Sequence, residues 1–492
     1  MTMTRRIQRS PNQASRAPHT LARCLLHAGL ALALGWLPAA QALGLLQAYE
    51  LATLNDPAFQ AARASHAAGQ ENIGIGRAGL LPQVSLSYQN APYNKQKVFY
   101  EADGFSDSTE RSYSSYSASV TLTQPLFDAA AWARWKQGKA YALLADAQFR
   151  DAAQALTMRL LRAYTEALFA QDQVGLTRAQ RDTYAEQLQR KRRAFQHGEG
   201  TRTDIAETEA RLQLAQVAQL DAEDAANVAW QALMQIVGVP EQARETLEPL
   251  RPDFVEGIAP GLGTQPLEDW QKMARTQNAA LETQRQAVEA ARHELSRQRA
   301  GHMPTVRLFA QHSRNKSEIA SAYNQKYRTN SVGVMVSVPL FAGGGVSAAS
   351  RQAGHQLSNA SYTLGVRTNE VMLDLERQYR LSHSGPARIR ASLQAVRAAE
   401  VALEGGMRGV AAGERINLDV LNAAQQLYTA RRDLARAVYD TLNARLALKY
   451  RAGVLSASDL REVAGYFGPF SDSASVHAAT AAGGTPPAQI RR

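Results

Sequence analysis

Only one cysteine, Cys24, occurs in the 492 residues, and it lies in a segment expected to be removed on export. The remaining chain therefore has no disulfide framework, thiolate metal site or cysteine nucleophile open to it. Aromatic residues are scarce at 7%, although hydrophobic residues reach 45%, and mean hydropathy is −0.33. Rich in Ala, Gln, Leu, Arg and Glu, this composition favours long helices over a compact mixed core. Beyond the first forty residues no apolar run is long enough for a membrane helix, so an exported form is either periplasmic or an outer-membrane barrel. Concentrated positive charge is missing too. The densest basic run, Arg190-Lys191-Arg192-Arg193, has Glu186 and Glu199 nearby and no interleaved aromatics, which argues against a nucleic-acid partner.

The amino-terminal segment reads as a secretory signal. Arg5, Arg6, Arg9, Arg16 and Arg23 precede an apolar stretch from Cys24 to Leu37, and Pro38-Ala39-Ala40-Gln41-Ala42 supplies small residues for cleavage after Ala42. The stretch is too short to cross ~30 Å of hydrocarbon. Leu43 follows the cut, which excludes a lipid-anchored cysteine there. The signal arginines carry 5 of the +11 formal charge, and the remaining +6 is spread along the chain.

Self-similarity organises the rest. Arg77-Ala78-Gly79-Leu80-Leu81-Pro82 is answered by Arg299-Ala300-Gly301-His302-Met303-Pro304, 222 positions on, and the same offset pairs Leu45 with Leu267 and Ala52 with Ala274. Pro125-Leu126-Phe127 is answered by Pro339-Leu340-Phe341 at 214, and Gly198, Asp204, Leu212, Leu233 and Gly238 by Gly413, Asp419, Leu427, Leu448 and Gly453 at 215. The change of offset marks a shorter loop in the second copy. The expected organisation is a signal at 1–42, repeat 1 at 43–238, an inter-repeat equatorial linker at 239–265, repeat 2 at 266–468 and a disordered tail at 469–492.

Each repeat has one plan: a helix, a strand pair bounded by prolines, a very long helix, a glycine-containing turn and a returning helix. In copy one these fall at 45–78, 82–125, 129–196, 197–203 and 204–237; in copy two at 266–300, 304–339, 346–412, 413–417 and 418–452. A helix over 129–196 would be roughly 100 Å long at ~1.5 Å per residue. The two shorter helices of the copy, stacked end to end, would match it as an antiparallel partner. Such lengths point to coiled-coil or barrel packing. Gly385-Pro386 inside the second long helix predicts a kink or short break.

The strands alternate. Val84, Leu86 and Tyr88 alternate with Ser85, Ser87 and Gln89, and Tyr116, Ala118, Val120 and Leu122 with Ser117, Ser119, Thr121 and Thr123. Val306, Leu308 and Ala310 alternate with Thr305, Arg307 and Phe309, and Val332, Val334, Val336 and Val338 with Ser331, Gly333, Met335 and Ser337. A half-buried soluble sheet would show the same pattern. Here the flanking helices are too polar to cover a sheet and the signal directs export, so an outer-membrane barrel with a wet lumen is expected. Four strands cannot close a barrel and open edges do not persist in lipid, so the chain must oligomerise; three copies give twelve strands. Polar segments at 91–112 and 313–329 are expected as the external loops.

In order and doubling, these segments resemble the TolC family of outer-membrane channels from about Leu45 to Asp459. The resemblance rests chiefly on Leu81-Pro82-Gln83, Pro339-Leu340-Phe341 with the glycines after it, and Gly413-Glu414-Arg415-Ile416-Asn417-Leu418-Asp419-Val420-Leu421-Asn422-Ala423. It implies a mainly α fold with membrane β. Long helical hairpins would form a periplasmic α-barrel, and four strands per chain would contribute to a trimeric twelve-stranded outer-membrane β-barrel. It implies a homotrimer in outer-membrane lipid that works with a periplasmic adaptor (membrane fusion protein) and an inner-membrane ABC or proton-driven transporter. By the same resemblance the turns near Gly198 and Gly413 form the closed end. Thr203, Asp204 and Arg415 fall on gate positions, and Asp419 falls on an acidic ring at the pore entrance. The sequence departs from the family at Asn422, in place of a second acidic ring, and at Val410, in place of a gate tyrosine. The implied function is an exit channel for protein secretion or multidrug efflux, with the helix-tip motif and the unlipidated start closer to type I secretion.

Other signals carry no site. Gly74-Ile75-Gly76-Arg77-Ala78-Gly79 ends a helix and precedes a strand, the reverse of a dinucleotide-binding turn. Gly343-Gly344-Gly345 lacks the Lys-Ser/Thr of a phosphate loop. His293, His302 and His312 are not at ligand spacing. No cofactor, no metal and no enzymatic activity are expected. Helix capping is the alternative reading of Asp204 and Asp419, and an ordinary exposed turn residue that of Arg415. The rival function is a trimeric surface fibre or adhesin with a membrane barrel.

Overall fold

The computed structural model describes residues 42–102, 105–238, 246–251, 265–317 and 325–468. The signal segment up to Gln41, most of the linker and the tail from residue 469 lie outside the described residues.

The chain runs α1 (Leu45–Asn55), α2 (Pro57–Ala78), β1 (Gln83–Ala102), β2 (Phe105–Phe127), α3 (Ala129–Gln196) and α4 (Arg202–Val237). It repeats as α5 (Leu267–Gln277), α6 (Ala279–Arg299), a single 3-10 turn, β3 (Thr305–Ser317), β4 (Gln325–Ser337), α7 (Gly345–Ala411), α8 (Asn417–Ala452) and a short α9 (Ala457–Ala464). The 68-residue α3 packs against α2 towards the strands and against α4 towards the far end; α7 does the same with α6 and α8. The stacked-helix plan holds with one refinement. The leading helix of each repeat is two helices, restarted where Asp56 accepts from Phe59 N–H (2.9 Å) and Asn278 accepts from Leu281 N–H (3.0 Å). These caps also stand 222 apart, and Pro57 at the first helical position completes the start signal.

Three expectations are corrected. No break occurs at Gly385-Pro386, because α7 continues through it. The buried Gly385 lies against Thr441 of α8, where a Cβ would come within 2.4 Å of the threonine side chain, so this pairing holds the helix where proline removes a hydrogen bond. The segment 91–112 is not a loop: β1 and β2 pair without interruption from Gln83↔Thr123 to Ala102↔Phe105, apart from a bulge between Ala91 and Asn94. Within 313–329, residues up to Ser317 and from Gln325 are strand.

The main core lies midway along the helices. Leu45, Ala48 and Ala52 of α1, Leu156, Leu160, Leu161 and Tyr164 of α3, Leu233 and Val237 of α4, Leu442 and Leu446 of α8, and Leu460 and Val463 of α9 form one apolar cluster. Thr246–Arg251 is woven into it through bridges Leu43↔Leu247 and Leu250↔Phe467. The fully buried Tyr164 donates its hydroxyl towards the carbonyls of Leu43 (2.8 Å) and Glu248 (3.2 Å), and burial raises its pKa. Closer to the strands the helices are joined by small residues; Gly138 of α3 admits the Asn72 carbonyl of α2, which a Cβ would meet at 2.3 Å.

Candidate functional site

The strands form one antiparallel sheet in the order β1-β2-β3-β4, which leaves the outer edges of β1 and β4 without partners among the described residues. Cross-strand register puts Val84, Leu86 and Tyr88 of β1 on the same face as Leu122, Val120 and Ala118 of β2, and Val306, Leu308 and Ala310 of β3 with Val336, Val334 and Val332 of β4. That face is bare: Leu86 is 74% exposed and Val332 77%. The opposite face carries Ser85, Ser87, Ser119, Thr121, Gln311 and Ser331, with Ser87 and Ser119 hydrogen-bonded at 2.7 Å. A soluble sheet would cover its apolar face; no helix among the described residues does. Among the described residues no helix is long and apolar enough to cross a membrane.

At the far end of the long helices lie two turns. Gly198 (φ 83°) and Gly200 (φ 119°) lead into α4, and Gly413 (φ 76°) leads into α8, left-handed conformations that favour glycine. Thr201 caps α4 by accepting from Asp204 N–H at 3.1 Å. The capping reading of the aspartates is thereby corrected. Asp204 and Asp419 both occupy the third position of their helices, where a carboxylate complements the helix dipole, and Ile416 precedes α8 without a side-chain cap. Thr203 is exposed, and Asp204 is half-buried with its carboxylate 3.9 Å from Lys191 Nζ. Arg415 is exposed, with its stem against Gly409. Within one chain Arg415 and Asp204 are not paired. Asp419 is exposed and Val410 half-buried.

The structure adds contacts at this end that sequence reasoning missed. Asn417 at the start of α8 donates through Nδ2 to Thr208 Oγ1 of α4 at 3.1 Å, and Thr208 donates to the Asp204 carbonyl at 2.7 Å. Asn422 Oδ1 accepts from Arg211 Nη2 at 3.1 Å. Further along, Gln180 of α3 donates to Gln425 Oε1 of α8 at 2.7 Å, and the Thr183 and Tyr428 hydroxyls lie 2.8 Å apart. Tyr184, buried beside them, has its pKa raised by that burial. Polar residues at helical spacing thus join the two hairpins near the tip, where the equator uses leucine. The available signal was the i, i+4, i+7 run Gln180-Tyr184-Gln187, polar at positions that elsewhere in α3 are apolar.

Midway along the helices a cleft of about 1660 Å³ opens between α1, α3, α8 and α9, lined by Leu45, Leu168, Leu250, Leu434 and Val438. Tyr439 donates to Asp172 Oδ2 at its wall (2.9 Å). No cluster of His, Cys, Asp or Glu suited to a metal occurs among the described residues.

A family model described as outer membrane efflux protein matches residues 48–239 and 270–454, one segment in each repeat. The chain is 42% identical over 443 residues to the proteases secretion protein PrtF of Dickeya chrysanthemi, covering 90% of this chain and 95% of that protein. It is also 42% identical over 427 residues to the alkaline protease secretion protein AprF of Pseudomonas aeruginosa, covering 87% and 88%. The outer membrane protein TolC of Escherichia coli shares 28% over 444 residues, covering 88% and 86%. Among solved structures, the outer membrane protein VceC of Vibrio cholerae superposes with a TM-score of 0.70 at 18% identity, over 83% of this chain and 96% of that one.

Proposed function

The chain belongs to the outer membrane efflux protein family, and from that premise we propose that it is the trimeric exit duct of a type I protein secretion system. It is an outer-membrane channel protein, with helices reaching into the periplasm, and not an enzyme. The observation that carries the proposal is the sheet: one bare apolar face, one polar face and two open edges, joined to helices of ~100 Å. Lipid tolerates no open edge, so β1 of one chain pairs with β4 of the next and three chains close twelve strands around a polar lumen. The three sets of long helices continue that lumen as an α-barrel through the periplasm. A surface fibre would need no such continuous lumen, and the family supports the duct.

The cargo is an unfolded or extended polypeptide. PrtF and AprF are protease secretion proteins by name, and each matches nearly the full chain at 42% identity. A periplasmic adaptor and an inner-membrane transporter, of the ABC class for this cargo, engage the helix tips. Residues 1–42 act as the removed signal, 43–238 and 266–468 as the two repeats about the linker 239–265, and 469–492 as a tail. In support, Leu43, the first residue after the expected cut, is held in the fold by its amide, which donates to the Thr246 carbonyl at 2.7 Å.

At the tips, Thr203, Asp204 and Arg415 hold neighbouring chains closed, and Asp419 contributes the acidic ring. Arg415 is exposed and has no carboxylate partner among the described residues, which leaves it available to an acceptor across the interface. Charge-assisted hydrogen bonds are worth ~1.5–3 kcal/mol, and a threefold axis focuses their field. Reconstitution in a planar bilayer tests the function: the purified protein should give discrete conductance steps, and deletion of its gene should trap the cargo inside cells. A protein that inserts without conductance would refute the duct.

A further inference from the structure

Above the apolar band, the same outward face of the sheet changes character abruptly. Along β3 and β4 the cross-strand pairs on that face are Val306↔Val336, Leu308↔Val334 and Ala310↔Val332, then His312↔Asn330, Arg314↔Arg328 and Lys316↔Lys326. Two arginines directly opposite each other are thus followed, one pleat further on, by two lysines directly opposite each other. Like charges at opposed positions have Cβ atoms ~4.5–5.5 Å apart and destabilise a strand pair. Arg314, Lys326 and Arg328 are exposed and have no carboxylate partner among the described residues. Lys316 donates to Ser114 Oγ on β2 at 3.1 Å and has a further partner besides. His312 and Asn330, hydrogen-bonded at 2.6 Å, separate this cluster from the valines. Tyr88 and Tyr116 flank it across β2, since Ala118 is paired with both Tyr88 and Arg314, and Tyr116 with Lys316. Tyrosines in such a position mark the water boundary of a membrane barrel.

We propose that Arg314, Arg328, Lys316 and Lys326 form a docking surface for a phosphorylated lipid headgroup of the outer leaflet. The inference rests on the reading of the sheet as an outer-membrane barrel with its apolar face towards lipid. Four cations lie on one face, the arginines four and the lysines six residues along the strands from Val332 and Ala310, beyond the apolar band on the side where the phosphates of a lipid whose chains lie along Val332, Val334 and Val336 would sit. Guanidinium groups bind phosphate oxygens in pairs, and lysines add point charge. The bound anion offsets the repulsion that the register builds into β3–β4, so the lipid acts as a clamp on the second hairpin and, through the β4 edge, on the seam between chains.

The test uses the full-length protein in detergent, stripped of lipid, and compares bisphosphorylated lipid A, its dephosphorylated form and inorganic phosphate. Native mass spectrometry should show bisphosphorylated lipid A retained on the oligomer, at least tenfold more than the dephosphorylated form, with a raised melting temperature. The combined variant R314Q, K316Q, K326Q, R328Q should lose that retention about tenfold and lose the melting shift. R314K with R328K should retain most of it. Conductance separates the two readings. A variant that conducts like the native protein is folded and assembled, so equal lipid A retention by it would overturn the headgroup site alone, whereas a native protein without conductance would overturn the barrel reading. Equal retention of dephosphorylated lipid would refute the role of phosphate, and an equal melting shift from inorganic phosphate would reassign the surface to a free anion and overturn the lipid proposal.

Discussion

Replacing Asn417 with alanine should loosen the periplasmic end of the duct. The amide of Asn417 (6% exposed) reaches Thr208 Oγ1 (0% exposed) at 3.1 Å, and that hydroxyl in turn donates to the Asp204 carbonyl. The link joins the start of α8, two residues after Arg415, to α4, which carries Thr203 and Asp204. A buried hydrogen bond of this kind contributes ~1 kcal/mol net, and ~1–3 kcal/mol when its loss strands a polar partner. In the proposed trimer, three chains breaking it together on opening would give about 3 kcal/mol, which at ~1.4 kcal/mol per factor of ten is roughly a 10²-fold change in the closed-to-open ratio. Single-channel recording of Asn417→Ala should show a larger mean conductance. Thr208→Val, which keeps the shape and removes the hydroxyl, should do the same, and the double variant should be no more open than either single one. Native conductance in both single variants, or full additivity, would refute the assignment of this contact to closure.

Arg415→Ser and Asp204→Ala should each raise conductance, and Asp419→Ala should weaken cation preference while leaving closure unchanged; reversal potentials in asymmetric salt separate the two effects. Gly385→Val should lower the thermal stability of the oligomer by about 1–3 kcal/mol through overpacking against Thr441, with partial rescue by Thr441→Ala. The Arg297 hydrogen bonds lower the pKa of Glu294 from 4.5 to about 2, outweighing its burial, with Gln298 and Gln137 assisting. A folded-state pKa below the unfolded one contributes stability that is present above pH 4.5 and lost as pH falls towards 2, so Glu294→Gln should flatten the acid limb of a denaturation profile. Ser108→Cys should react with an impermeant thiol reagent on intact cells and Gly198→Cys should not; the reverse pattern would invert the topology.

Much of the architecture was legible because the fold is written twice. Hydrophobic period and doubled proline and glycine positions placed the long helices and their turns within a residue or two. The restarts at Asp56 and Asn278 were legible in principle, since Asn55-Asp56-Pro57 is a helix-start signal, but it was masked by helical periodicity on both sides. The short α9 carried a similar signal, a capping box from Ser456 to Asp459. The extension of β1 and β2 past residue 91 was not legible. Its first residues, such as Asn94, Lys95, Gln96 and Lys97, are polar on both faces, so no apolar–polar alternation marks them as strand. Nor could the sequence foretell that Pro386 would stay helical, because that depends on how closely Gly385 approaches Thr441 from a distant helix. At the tip, the doubled motif pointed to Asp204 and Arg415 but not to Asn417–Thr208, a pair that only the packing of α4 on α8 brings together.

The most direct test is the mass of the purified, detergent-solubilised protein by native mass spectrometry. Four strands with both edges open among the described residues predict a complex of three chains that stays intact until the barrel is denatured. A stable monomer carrying a complete barrel would contradict the account.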